Sequence, residues 1–145
     1  MKGEEVLTVF SDKILLSTGG FCDVIDITDG VTDVLKRSGV RDGLLTVFCP
    51  GSTGAVTTIE YEAGVIEDLR KALEMIVPSD MPYEHNKRWG DGNGFSHVRA
   101  ALMKPSLTVP VHKGRPVLGT WQQIVFLDFD NRGRRRELFV QAIGE

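Results

Sequence analysis

The sequence predicts an α+β protein, a β-sandwich of antiparallel sheets with two or three helices, and three observations lead there. Strand-like runs rich in Val, Ile, Thr and Phe outnumber helical ones. The late connections are short enough for hairpins, which join antiparallel strands, whereas parallel strands need long crossovers. The 145 residues suit a single domain, residues 1–145, with no repeat, low-complexity tract or linker to divide them.

In chain order, strands are expected at residues 5–10, 13–17, 44–49, 57–61, 106–111, 116–118, 121–130 and 137–143. The first helix is expected over 29–38, capped by Thr28 or Asp29, with Val31, Val34 and Leu35 on one face and Gly39 as terminator. A second, over 64–76, carries the stripe Val65, Leu69, Leu73 and Ile76 and stops before Pro78. A third runs over 94–103 and ends at Pro105. Period-two alternation over 121–130 puts Ile124 and Phe126 on one face and Val125, Leu127 and Phe129 on the other. Such a strand is covered on both sides, and in so small a chain the second cover is expected from another subunit.

Composition narrows the function classes. A formal net charge of −3 disfavours a nucleic-acid binder, which uses a basic excess to neutralise phosphates. Cys22 and Cys49, the only cysteines, form no CxxC pair, so reduced thiols are expected rather than a disulfide framework. The opening MKGEEVLTVF is acidic where a signal peptide is basic, and no apolar run reaches the roughly 18 residues of a membrane span. A soluble, cytoplasmic protein is the expectation.

Three stretches carry candidate chemistry. In YEHNKRWGDGNGFSHVRAAL, residues 83–102, His85, Asp91, Asn93 and His97 flank a glycine-rich turn. It is no EF-hand loop, because Phe95 occupies a ligand position and no glutamate follows, and HExxH is absent. On the third helix Phe95, Val98 and Leu102 form an apolar stripe, and His97 points about 130° from its centre, beside the small Ala100 and Ala101. Glycines 90, 92 and 94 should let the chain fold back, bringing His85 and Asp91, on the loop, close to His97; the bland alternative is a polar loop entering a helix. In CPGSTGAVTTIE, residues 49–60, Gly51 and Gly54 with Ser52 and Thr53 could form an anion nest, with Glu60 within reach. It lacks a Walker lysine, and a loop or bulge in a sheet is the competing reading. In DNRGRRRE, residues 130–137, Arg132, Arg134, Arg135 and Arg136 could clamp phosphates, although such runs are more often solvated hairpin tips, as is His112 in VHKGRP.

Taken together, LGTWQQI at 118–124, NGFSH with Asn93 and His97, YEH with His85 and TTIE with Glu60 closely resemble the YjbQ-like family, small prokaryotic proteins associated with a secondary thiamine-phosphate synthase activity. The resemblance spans nearly the whole chain. It implies an α+β fold, a homotrimer and a polar pocket near the subunit interface. Where many members have a histidine opening an HTTA-like segment, this chain has Gly51, and Asp130-Asn131-Arg132 stands where an Asp-Gly-Pro is common. The metal-ligand set left is His85 and His97 with a carboxylate from Glu60 or Asp91, which suits a divalent ion, magnesium or zinc.

The implied reaction joins a pyrimidine pyrophosphate to a thiazole phosphate with loss of pyrophosphate. His97, His85 and Glu60 are then the catalytic candidates, and Ser52, Thr53, Asn93, Arg99, Trp121 and Gln122 the ligand-binding ones. Trp121 could stack on a heteroaromatic ring or simply pack in the core. The rival from another class is a non-catalytic trimer that binds a small anion or a metal.

Overall fold

The structure is a computed structural model that describes residues 6–145. Two antiparallel sheets form the sandwich. The larger has the order β1-β8-β3-β5-β6 and is built from β1 (Thr8–Ser17), β3 (Gly43–Phe48), β5 (Ser106–His112), β6 (Arg115–Pro116) and β8 (Arg135–Gly144). The smaller has the order β2-β7-β4, from β2 (Asp23–Asp26), β7 (Gln122–Asp128) and β4 (Gly54–Glu60). Four helices complete it: α1 (Thr28–Ser38), α2 (Ala63–Ile76), α3 (Glu84–Trp89) and α4 (Gly94–Met103).

The main core lies between the sheets. Leu45 and Val47 of β3 and Leu138, Val140 and Ala142 of β8 meet Ile124 and Phe126 of β7, and Val31, Val34 and Leu35 of α1 close one end. The other face of β7, with Val125 and Leu127, and the following Phe129 pack on Leu73 of α2 and Ala100 of α4. β7 is thus covered on both faces, as its doubly apolar pattern requires, but the second cover comes from α2 and α4 of the same chain. The strand therefore gives no reason of its own to invoke a second subunit.

Several boundaries differ from the sequence reading. The two first strands are one continuous strand, because Ser11 and Asp12 stay in register with Gln141 and Val140 of β8 and Asp12 turns inward to Arg37 of α1 at 2.7 Å; Glu5 lies outside the described residues. An inward charge of this kind also blunts an edge strand against further pairing. β2 and α3 are additional elements. On α4 the buried face is Phe95, Ser96, Arg99 and Ala100, whereas Val98 and Leu102 of the expected stripe are exposed. The helix is clamped by polar bonds instead: the Ser96 hydroxyl donates to the Phe129 carbonyl. Ile76 of the α2 stripe is also exposed. No helix among the described residues is long and apolar enough to cross a membrane.

Candidate functional site

The stretch 83–102 folds back on itself as a helix-turn-helix. Gly90 ends α3 with φ 68° and Gly92 follows with φ 71°, a left-handed turn that other residues enter only at a cost. Gly94 starts α4 so close to α3 that a Cβ there would lie 2.5 Å from that of Tyr83, and its N–H is bonded by the Asn86 side chain at 2.9 Å. His85 sits on α3 rather than on the loop, and Asp91 is on the loop as expected.

This packing brings the two imidazoles together. The ring centroids of His85 and His97 are 4.4 Å apart and tilted by 49°. That is well inside the span of two ligands of one metal, whose metal–nitrogen bonds are about 2.0–2.1 Å. His85 Nε2 lies 3.2 Å from Asp91 Oδ1. With its amide nitrogen turned towards them, Asn93 donates to His85 Nε2 and Asp91 Oδ1, both at 3.0 Å; turned the other way, it reaches Asp130 Oδ1 at 3.3 Å. Such amide orientations follow from the bonding network. Among the described residues, no three His, Cys, Asp or Glu side chains form a complete ligand set within the chain.

Across from the histidines, residues 51–53 and Arg134 and Arg136 complete a cavity of about 450 Å³, with Trp89, 73% exposed, at its rim. A smaller cavity of about 180 Å³ lies beside it, lined by Gly51, Ser52 and Gly54 on one side and His97, Ala100 and Ala101 on the other. Of the two glycines of the expected anion nest, Gly51 spends its N–H on the Cys49 carbonyl at 3.0 Å, and Gly54 stands opposite Asp128 as the first residue of β4. The Thr53 hydroxyl is engaged too, accepting from Arg136 Nη2 at 2.8 Å and lying 3.3 Å from Asp130 Oδ2.

Arg134 and Arg136 are not a solvated hairpin tip. Arg136 grips the fully buried Asp128 with Nε at 2.9 Å and Nη2 at 2.8 Å, and Arg134 Nε holds the fully buried Asp130 at 2.8 Å. Burial alone would raise the Asp130 carboxyl, but the Asn131 N–H, Arg134 and Asn93 outweigh it and hold it below the ordinary aspartate value. Arg132 and Arg135 are exposed, as is His112, which pairs with Asp42 at 2.9 Å. Period-two alternation puts Arg136 of β8 and Arg134 just before it on one side, facing Asp128 and Asp130, and is the signal that singles out this pair.

Four other predicted residues lie elsewhere. Gly54 is paired with Asp128 and Glu60 with Gln122, so Glu60 and Gln122 sit at the opposite end of the small sheet, about 20 Å from the histidine end at roughly 3.3 Å per residue. Trp121, next in chain to Gln122, is 72% exposed and packs in no core. Arg99 is on the far side of α4 from His97, where Nε and Nη2 bond the Val77 carbonyl and Nη2 also bonds Glu74.

Burial and the neighbouring His85 hold the His97 imidazole below its ordinary value of 6.5, against the opposing pull of Asp91 and Asp130 and a backbone bond with Ser52. His97 is therefore neutral at pH 7, free to accept a proton or bind a metal. Because its folded value lies below the unfolded one, its contribution to stability is complete above about pH 6.5 and is lost as pH falls through the folded value. A carbon-detected imidazole titration should show His97 protonating below 6.5, and His97→Gln should flatten the acid limb of stability; a midpoint above 6.5 refutes this.

A family model described as "UPF0047 protein YjbQ-like" matches residues 12–145. A UPF0047 protein of Methanothermobacter thermautotrophicus is 41% identical over 136 residues, 94% of each chain, and one of Archaeoglobus fulgidus is 38% identical over 90% of this chain and 99% of that one. Among solved structures, a YbjQ-like protein of unknown function from Sulfolobus solfataricus matches with a TM-score of 0.92 at 30% identity, covering 97% of this chain and 100% of that one. With a match of this extent and relatives this similar along nearly all of their length, the chain belongs to the YjbQ-like UPF0047 family.

Proposed function

We propose that the cavity between the His85–His97 pair and the loop 51–53 is the active centre of an enzyme acting on a small phosphorylated molecule, and that it is completed by a neighbouring chain of a homotrimer. The observation that carries this reading is the pair of touching imidazoles, one beside Asp91, facing two arginines across an open cavity. His97, neutral at pH 7, offers a ring nitrogen to a metal ion or a hydrogen bond to the leaving pyrophosphate, with His85 and Asp91 beside it. Trp89 offers a face to a heteroaromatic ring at the rim.

The donors also fit a divalent ion, magnesium or zinc: His85 and His97 with one carboxylate, Asp91 or Glu60 of a neighbouring chain, would hold it, and when bound it would neutralise a leaving pyrophosphate. The family resemblance makes one reaction the first to try, in which a C–N bond forms between the thiazole phosphate nitrogen and the pyrimidine methylene carbon as its C–O bond to pyrophosphate breaks. The trimer is what the family resemblance implies, and in it Glu60, at the far end of the small sheet, would reach the histidines of a neighbouring chain across a heterologous interface that a ring closes.

The test combines both substrates with the native protein and with His97→Ala, with magnesium or zinc added, and follows pyrophosphate release. Turnover that falls by about 100-fold or more in the variant supports the proposal; saturable zinc binding without any turnover supports the non-catalytic trimer instead. Light scattering should give three times the 16.0 kDa chain mass, and a monomer at micromolar concentration removes the interface completion.

A further inference from the structure

We propose that a second cavity, behind the loop that carries Asp91, binds a small organic anion with an apolar body. It holds about 390 Å³, within the usual range for small-molecule sites, and lies among Phe21, Arg70, Glu74, Phe95, Arg99 and Asn131. None of the catalytic candidates above lines it, and of the ligand-binding ones only Arg99 does, which sequence reasoning assigned to the other pocket.

Arg99 is the first support. It is 96% buried by the complement of its 4% exposure, and Nε and Nη2 are the only nitrogens it spends on protein, on the Val77 carbonyl and Glu74. No enclosed side-chain nitrogen lacks a partner among the described residues, so Nη1 opens onto the cavity. Nη1 thus faces the cavity with no protein partner, and a guanidinium nitrogen of this kind makes a charge-assisted hydrogen bond to an anion. Arg70, half-buried on α2, adds a second guanidinium that spends only Nε, on the Cys22 carbonyl at 2.9 Å. Against these two cations stands one carboxylate, Glu74, so the cavity keeps a net positive charge.

The second support is the backbone at the mouth. Phe21 and Cys22 hold φ of 51° and 60°, a left-handed conformation that residues other than glycine adopt only at a cost. The Phe21 N–H, bonded to the Asp130 carbonyl at 2.7 Å, locks that turn and leaves the ring 65% exposed on the rim. The Phe95 ring lies inside, with the Arg99 guanidinium 5.0 Å from its centroid. Two aromatic faces beside two guanidiniums suit a carboxylate on an apolar body better than a bare inorganic ion.

An occupant would also touch the histidine site from behind. Gly92 lines this cavity, and the Asn131 amide, on its wall, donates to the Asp91 carbonyl at 2.8 Å.

Benzoate and inorganic phosphate are the probes, titrated into the full-length ¹⁵N-labelled protein while the Gly92, Arg70 and Arg99 resonances are followed. Benzoate should bind saturably in the millimolar range or tighter, with phosphate at least tenfold weaker. Arg70→Gln and Phe21→Ala should each weaken benzoate at least tenfold, whereas Arg115→Gln, an exposed arginine outside the cavity, should not. Should Arg70→Gln fail to fold, Phe21→Ala carries the test alone. Absence of saturable benzoate binding, equal affinity for phosphate, or variants that bind like the native protein would each overturn the assignment.

Discussion

Mixing two inactive variants is expected to restore function. His97→Ala removes one imidazole of the touching pair, and Glu60→Ala removes a carboxylate at the far end of the same sheet. Each alone should lower turnover and metal affinity by about 100-fold, the upper end of the roughly 10–100-fold typical of residues that merely orient a ligand. Folding should be nearly intact in both, because His97 is only half-buried and Glu60 is exposed. In a cyclic trimer every site would take its histidines from one chain and Glu60 from the next. When equal amounts are co-refolded, half the chains bring a native His97 and half a native Glu60, so about one quarter of the sites regain both. Recovery of activity towards that fraction, absent from either variant alone, is the expected result. If Glu60→Ala keeps native turnover, or if the mixture stays as inactive as its parts, the shared site is wrong.

What the sequence made legible, and what it hid, follows from how far each signal reaches along the chain. Local periodicity identified α1, and its Val31, Val34 and Leu35 are buried as the pattern requires. The doubly apolar run around Phe126 was equally clear, but periodicity says only that both faces are covered, not which element covers them. Short elements escaped because they carry too few periods: DVID forms β2 with four residues and EHNKRW forms α3 with six. β1 looked like two strands because Ser11 and Asp12 interrupt its apolar tone, and only the partner strand and Arg37 explain an aspartate turned inward. The meeting of His85 with His97 was legible because three glycines within five residues imply a reversal. Arg134 and Arg136 were harder to read, since a run of four arginines looks like a solvated turn until their partners four and eight residues earlier, Asp130 and Asp128, are seen to be buried.

Removing Arg136 should destabilise the protein far more than its position in a run of arginines suggests. Its guanidinium meets both oxygens of Asp128, whose side chain is fully buried, and it also fixes the Thr53 hydroxyl and lies 5.8 Å from the Phe126 ring centroid. Arg136→Ala would leave that carboxylate with only the Thr18 hydroxyl at 2.5 Å and the Asp130 N–H at 3.0 Å. Breaking one side of a buried ion pair costs about 3–5 kcal/mol, because the remaining charge stays desolvated. Lys13→Ala, which removes an equally visible pair with Glu137 at 3.4 Å, should cost less than about 1 kcal/mol, since both side chains are more than half exposed. Urea unfolding at one fixed chain concentration measures both, the concentration being held because assembly adds to apparent stability. The double variant Arg136→Met with Asp128→Leu should recover much of the loss, since an apolar pair carries no unpaired charge. It should still weaken ligand binding, because the cavity loses the Arg136 guanidinium and the Thr53 hydroxyl loses its 2.8 Å partner. An Arg136→Ala variant within about 1 kcal/mol of the native protein would mean that water reaches Asp128 and that the pair is a surface contact.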